Sequence, residues 1–409
     1  MTRTHNFSRR GLLAAAATAA GGLTLGGCGR EPEERYNDAD IALLARQRDE
    51  EAAASGKGAF GRQVYRGYRG LAELPWFELD SGGELVVSND SIPRSVDVHG
   101  HLGMSVFFRP ELDLTASTPR VRHLLDCDEP GNECELDLDV YANGNFTPAA
   151  LDRLQSHTVA QGLWGSEFSA TQTAPNLLRE MDAMRVEHVL LLPIKLGLPF
   201  GDRLTEDWRA AVNRAALGER LHVGLSVHPE DEGAPLELRE LAARGGRIVK
   251  LHPTVQRFYP DDPRLMALYE ECQSLGLVVF YHGGRAGIEP DSSHPFAMPR
   301  HYEGPLRNFP DLQFVLGHAG ARDNAAMVDL AMRYDNAWLG IHGQSVSNLA
   351  MMIKRTGGQR LLFGTDWPFY HLGMSLAKVL LATDEPGGDA LRRKILRDNA
   401  YALFDGRFS

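Results

Sequence analysis

The run Val96-Asp97-Val98-His99-Gly100-His101 is short, apolar and ends in two histidines one residue apart. Side chains alternate between the faces of a strand, so His99 and His101 point the same way, within reach of one ion, with Asp97 behind them. Alone, such a pair reads more readily as an exposed accident or as two satisfied core histidines. Four later apolar runs change its weight, because each closes on polar groups of the kind a metal centre uses: Arg247–His252 (with Lys250), Leu277–His282, Phe314–His318 and Leu361–Asp366. A β/α barrel gathers the carboxyl ends of its strands at one face. Five runs far apart in sequence can therefore build one site.

With 409 residues, 43% of them apolar, the chain can bury one large core with extensions. Its formal charge is -11, and the first 27 residues carry Arg3, Arg9 and Arg10 but no acid, so the remainder is more acidic still. Such a chain is a poor candidate for nucleic acid. Ser8-Arg9-Arg10-Gly11-Leu12-Leu13 sets a twin arginine before an Ala/Gly/Leu stretch too short and too weakly apolar for a membrane span. It resembles a twin-arginine export signal, and Leu25-Gly26-Gly27-Cys28 resembles the lipobox of bacterial lipoproteins. Residues 1–27 are thus expected to be removed, leaving Cys28 lipidated and the protein exported to the periplasmic or cell-envelope side, touching the membrane only through that anchor. A plain secretory signal with a chance cysteine is the alternative. In an oxidising compartment Cys127 and Cys134, in one polar loop, are either a local disulfide or two thiols; Cys272 reads as a buried apolar residue.

Residues 28–90 read as a tether with a helix over Asp38–Ala54 and a hairpin over Trp76–Val87, turned at Ser81-Gly82-Gly83. The barrel occupies 91–409. Residues 102–173 form a long insertion after the first strand, containing Phe107-Phe108, the cysteine loop and the aromatic stretch Gly162–Phe168, and should arch over the barrel mouth and shape the pocket. Strands then alternate with helices: Glu187–Pro193, Leu221–Val227, Arg247–Leu251, Leu277–Tyr281, Leu312–Leu316, Ala337–Ile341 and Arg360–Gly364. Counted from Val96 there are eight, the number that closes a (β/α)8 TIM barrel. A final helix is expected over Asp389–Phe404.

The ordered set His99-x-His101, Val249-Lys250-Leu251-His252-Pro253, Tyr281-His282-Gly283-Gly284, Gly317-His318-Ala319-Gly320, Gly364-Thr365-Asp366-Trp367-Pro368 and Asp398-Asn399-Ala400 with Leu403-Phe404 resembles the amidohydrolase superfamily. It is most similar to the amidohydrolase-related branch that includes aminocarboxymuconate semialdehyde decarboxylase, aromatic-acid decarboxylases and sugar lactonases. The resemblance spans roughly Ser91–Phe404 and implies a distorted barrel. It further implies that His99, His101, His282 and Asp366 hold one divalent metal, zinc or alternatively manganese. On the same basis Asp366 shuttles a proton for water activated on the metal, and His318 assists by holding that water or polarising the substrate. In binuclear members a fourth-strand lysine is carboxylated and bridges two metals; Lys250 has that position, yet in Lys-Leu-His-Pro it serves equally to bind an anionic substrate group. His252 shares its strand phase and contacts either substrate or a structural hydrogen-bond partner.

Arg285 could clamp a substrate carboxylate bidentately or form an ordinary ion pair. His228 and His342 follow the third and seventh strands and have no motif role; His123, His157, His188, His294 and His371 read as solvent or core histidines. The acidic loop from Asp126 to Glu135 lacks EF-hand spacing and reads as solvated. The expected activity is metal-dependent hydrolysis of an ester, lactone or amide in a small molecule. Non-oxidative decarboxylation of an aromatic or unsaturated acid is the runner-up, and an inactive envelope binding lipoprotein is the alternative from another class. A homodimer is left open.

Overall fold

In the computed structural model the apolar runs become eight parallel strands, all ending where the polar groups stand. Residues 36–104, 112–125, 127, 134–152, 166–198, 202–405 and 408 are described. The export signal, Cys28, Phe107-Phe108, His157, the tip of the acidic loop and the first part of the aromatic stretch lie outside them.

The barrel strands are β1 (Ser95–Gly100), β2 (Val186–Leu191), β3 (Leu221–Val223), β4 (Ile248–Leu251), β5 (Val278–Tyr281), β6 (Phe314–Leu316), β7 (Ala337–Gly340) and β8 (Leu361–Leu362). They form two parallel arcs, β1-β2-β3 and β4-β5-β6-β7-β8. Single bridges, Leu225 to Val249 and Gly100 to Trp367, join the arcs into a ring. At the second joint Val98 N donates to Phe363 O (3.0 Å) and His101 N to Trp367 O (2.7 Å). The result is a distorted (β/α)8 barrel. Strands covered on both faces read as nearly continuous apolar runs, and β4 to β6 are buried at every position, Lys250 included.

The helices between strands follow the 3.6-residue period. Helix Leu204–Arg214 buries Leu204, Trp208, Ala211 and Val212 against the sheet, the i, i+4, i+7, i+8 stripe of an amphipathic helix. Ser345 caps helix Val346–Thr356 by accepting from Asn348 N at 3.1 Å, and Gly357, at φ 60°, ends it.

The extension from Ile41 onward and the barrel belong to one compact unit. Helix Asp38–Ala54 and the hairpin, Phe77–Leu79 with Leu85–Val87, form where the sequence places them. The insertion contributes a strand, Glu135–Asp137, that pairs antiparallel with Val64–Arg66 of the extension. It is then tied to the carboxyl-end loops: Ala142 N donates to Gly343 O (2.8 Å), Val346 N to Leu138 O (2.9 Å) and Leu124 N to Phe369 O (2.8 Å). These described parts of the insertion lie against the loops at the carboxyl ends of the strands. No helix among the described residues is long and apolar enough to cross a membrane.

The last helix carries a local irregularity, and one open alternative is decided. The final helix forms where expected, and a wide π-type turn over Lys394–Asp398 links its segments Gly388–Arg393 and Asn399–Leu403. Just past that turn the Asn399 amide donates to Gly358 O (2.8 Å) and Leu361 O (2.7 Å) at the start of β8, while Leu403, Phe404 and Phe408 join the apolar cluster of Val96, Val98, Leu190, Ile248, Phe280, Val315 and Leu362. Cys127 and Cys134 are free thiols, not a disulfide. The Cys127 sulfur turns instead toward the Cys134 carbonyl oxygen, 3.6 Å away, and burial, with Cys134 beside it, pushes its thiol up to about 11. Cys272 is buried.

An Asn399→Ala substitution strips donors from two buried carbonyls, each worth about 1 to 3 kcal/mol when left unsatisfied. Urea unfolding should show a loss of about 2 to 4 kcal/mol, with the metal content of the folded protein unchanged.

Candidate metal centre

The centre is built where β1 meets β8. Asp97, fully buried, accepts from His99 N (2.9 Å), Thr365 N (3.1 Å) and Thr365 Oγ1 (2.5 Å), and Asp366 N donates to His99 O (2.8 Å). Burial pushes the Asp97 carboxyl up to about 7 against those hydrogen bonds. The first and last strands are thus locked in register, and three donors converge: His99 Nε2 lies 3.1 Å from His101 Nε2, and Asp366 Oδ1 lies 3.5 and 3.2 Å from the two. His101 Nδ1 faces Leu192 O at 2.9 Å. A carbonyl only accepts, so Nδ1 carries the proton and the Nε2 lone pair points to the centre.

Ligands about 2.0 to 2.1 Å from a tetrahedral ion stand about 3.3 Å apart, so this spacing suits one ion. Imidazole and carboxylate are borderline and hard donors suited to zinc or manganese. His282 extends the set. Its ring lies 4.4 Å from His318, and its buried Nε2 has no hydrogen-bond partner among the described residues. It is not within the tight trio, but an unpaired buried nitrogen is costly unless something meets it.

A ring of further groups surrounds the trio. Lys250 Nζ sits 3.4 Å from His99 Nε2 and 4.9 Å above the Phe280 ring, and burial pushes it down to about 7. His252 stacks on His282 with centroids 4.1 Å apart, while its Nδ1 meets Thr254 Oγ1 at 3.1 Å. Burial holds His99, His252, His282 and His318 well below the ordinary imidazole range, and His342 at about 3. All five are neutral near pH 7, the form that binds metal. Burial opposes ionisation of Asp366, yet its hydrogen bond and attraction to His101 bring its carboxyl below the usual value.

Backbone strain aims several of these side chains. His318, Ala319, Ala321 and Asp366 have φ of 53°, 44°, 51° and 62°, a region that costs a non-glycine residue roughly 1 to 3 kcal/mol. The surrounding loops leave no alternative path. A Cβ on Gly284, itself at φ 71°, would lie 1.9 Å from Gly320 O, and one on Gly317 would lie 2.3 Å from Tyr281 O. The glycines of the two motifs therefore let the turns after β5 and β6 touch backbone to backbone.

Behind Asp366 a buried carboxylate steadies the last loop. Glu180 accepts from Trp367 Nε1 (3.1 Å) and Leu372 N (2.9 Å), and meets His123 Nε2 at 2.9 Å and His371 Nε2 at 3.6 Å. His123 Nδ1 in turn reaches Pro368 O at 2.9 Å. Burial raises the Glu180 carboxyl, but the histidine charges and hydrogen bonds prevail and bring it to about 2. His123 and His371 are core histidines, as their lack of a motif implies.

Not every sequence candidate reaches the centre. Arg285 is buried and its fork is taken by Asp323, Nε to Oδ2 at 2.9 Å and Nη2 to Oδ1 at 2.6 Å; it ties the turn after β5 to that after β6 and is not a substrate clamp. His228 packs against Gly197. His342, given no motif role, lies in the site, its ring 3.8 Å from His99 and 4.0 Å from His318. Its Nε2 accepts from His318 N at 3.2 Å. Tyr141 was not foreseen: its hydroxyl lies 3.0 Å from His318 Nδ1. Only its place in the insertion over the mouth pointed toward it.

An α/β barrel that sets histidines and a carboxylate at its strand ends defines the class. Residues 167–406 match the amidohydrolase family model, and the chain belongs to that family. The match starts after β1, near the end of the insertion, so the fold alone joins His99 and His101 to it. No curated protein matches the chain. Among solved structures it is similar to an uncharacterised TIM-barrel protein from Bordetella bronchiseptica, at 20% identity and TM-score 0.53, covering 76% of this chain and 99% of that one. It is also similar to 5-carboxyvanillate decarboxylase from Sphingomonas paucimobilis, at 17% identity and TM-score 0.51 with the same coverage. At such identities the likeness speaks for the fold.

Removing the buried carboxylate in Glu180→Ala leaves Trp367, Leu372 and two histidines without their acceptor, a change worth about 3 to 5 kcal/mol. Because the folded carboxyl lies below its unfolded value of 4.5, the stability it contributes is complete above about pH 4.5 and disappears as pH falls toward 2. Unfolding curves of parent and variant should therefore differ most near pH 7 and converge on acidification.

Proposed function

We propose that this protein is a metal-dependent hydrolase that cleaves an ester, lactone or amide bond of a small molecule. The convergence of His99 Nε2, His101 Nε2 and Asp366 Oδ1 within 3.1 to 3.5 Å carries the reading. In it His99, His101, Asp366 and His282 hold one divalent ion, zinc or alternatively manganese. The ion, when bound, supplies a Lewis acid that polarises a carbonyl and lowers the pKa of water to about 7. Asp366, ionised at neutral pH, takes the proton of the attacking water and returns it to the leaving group. His318 hydrogen-bonds the substrate, and Lys250 and His252 contact it, Lys250 through its charged form.

Decarboxylation of an aromatic or unsaturated acid is the second reading, supported by the likeness to 5-carboxyvanillate decarboxylase. Both use the same residues and differ in product. We further propose, from Arg9-Arg10 and Leu25–Cys28, that the enzyme is exported folded and anchored by lipid at Cys28. Globomycin-sensitive processing in cells is the expected result, and insensitive processing would remove the anchor from the proposal.

Elemental analysis of purified protein should give about one divalent ion per chain, held in Lys250→Ala and weakened at least tenfold in His101→Ala and Asp366→Ala. Two ions, one lost in Lys250→Ala, would make Lys250 a carboxylated bridge. No retained ion would leave an envelope binding protein. A screen of lactones, esters, amides and aromatic acids, read for ring opening or cleavage against carbon dioxide release, separates hydrolase from decarboxylase.

A further inference from the structure

Tyr141 lies outside the residues the family model matches, yet it reaches the centre and is held from several sides. Its backbone N donates to Glu51 Oε1 (2.8 Å), and the next residue, Ala142, donates to Gly343 O (2.8 Å). The Arg322 guanidinium lies 5.4 Å from its ring centroid, and Gly343 passes so close that a Cβ there would stand 2.8 Å from the ring. This tyrosine has little freedom to turn away.

Its buried hydroxyl meets His318 Nδ1 at 3.0 Å, the only hydrogen bond it makes among the described residues. A buried hydroxyl uses its proton where a partner exists. Burial, with Tyr370 and Asp366 nearby, keeps the phenol well above its ordinary value and therefore protonated. The hydroxyl then donates, Nδ1 accepts, and the proton of the neutral imidazole must sit on Nε2. Meanwhile Gln344 Nε2 donates to His318 O and His318 N donates to His342 Nε2 at 3.2 Å, so the residue is fixed at both ends.

We propose that Tyr141 is a positioning residue that sets the tautomer of His318, so that His318 presents an Nε2–H donor to the substrate oxygen rather than a lone pair to the ion or to water. This rests on the hydrolase reading for its chemistry, since a donor aimed at an oxygen that gains charge is what acyl transfer uses. The insertion thus completes the site that the barrel begins, and His318 is neither a metal ligand nor a base in this protein.

The test uses zinc-loaded protein labelled with 15N-histidine, the His318 signals being identified by their absence in His318→Gln. The proton should be found on Nε2 in the parent, and Tyr141→Phe should shift the equilibrium toward Nδ1 while retaining the bound zinc. On a substrate from the screen, Tyr141→Phe should lower kcat about 10- to 100-fold, as loss of an orienting partner does, and move KM less than about threefold. Tyr370→Phe is the control, because it removes another buried hydroxyl that meets the insertion, one that donates to Asn143 Oδ1 at 2.6 Å from the loop after β8; it should leave the His318 signals as they are. A proton on Nδ1 in the parent overturns the proposal, as does a Tyr141→Phe protein with the parent's tautomer and kcat, or a control that disturbs His318 equally. If the parent turns over no substrate, the hydrolase reading fails while the nitrogen signals still report the tautomer.

Discussion

The structure depends on the buried carboxylate of Asp97. It grips the backbone of its own strand at His99 and both the backbone and hydroxyl of Thr365, adding a side-chain clasp to the backbone bonds that close the barrel between β1 and β8. The same grip sets the spacing of the site, because His99 and His101 leave the first strand and Asp366 leaves the last. Only a closed seam brings those three donors within 3.5 Å. Closure and chemistry are one constraint here.

The mouth is assembled at an energetic cost that the rest of the chain offsets. Four residues near the centre adopt left-handed backbone, several imidazoles are kept neutral by burial, and a lysine is buried beside them. Arg285 with Asp323 and Glu180 with its two histidines are the supports, and each has its charges paired and hydrogen-bonded. Polar networks of this kind rigidify when every member is satisfied. Their position behind the turns after β5, β6 and β8 accounts for how strained turns persist.

The alternation of apolar runs with helices was legible in the chain, as were the eight strands, the helix over Asp38–Ala54 and the hairpin, because each follows from a local period. The motif positions were legible too: His99, His101, Lys250, His252, His282, His318 and Asp366 all come to the strand-end face. The two readings of Arg285, substrate clamp or ion pair, could not be told apart, since its partner Asp323 lies 38 positions away and nothing in His282-Gly283-Gly284-Arg285 announces it. His342 lacked a motif, although its place after the seventh strand was the right hint. The last helix was legible but its π-type turn was not, because an apolar period does not distinguish a single π turn from the α turns around it.

By itself the sequence determined which residues stand at strand ends, and with that the class of fold and the kind of donors on offer, because hydrophobic period and short-range spacing are properties of neighbours along the chain. The tertiary structure decided which donors meet, which charged groups are already paired, and that a tyrosine from a 72-residue insertion (102–173) reaches His318 across 177 positions. Such contacts depend on how separate segments close over one another in space. No local pattern records that closure.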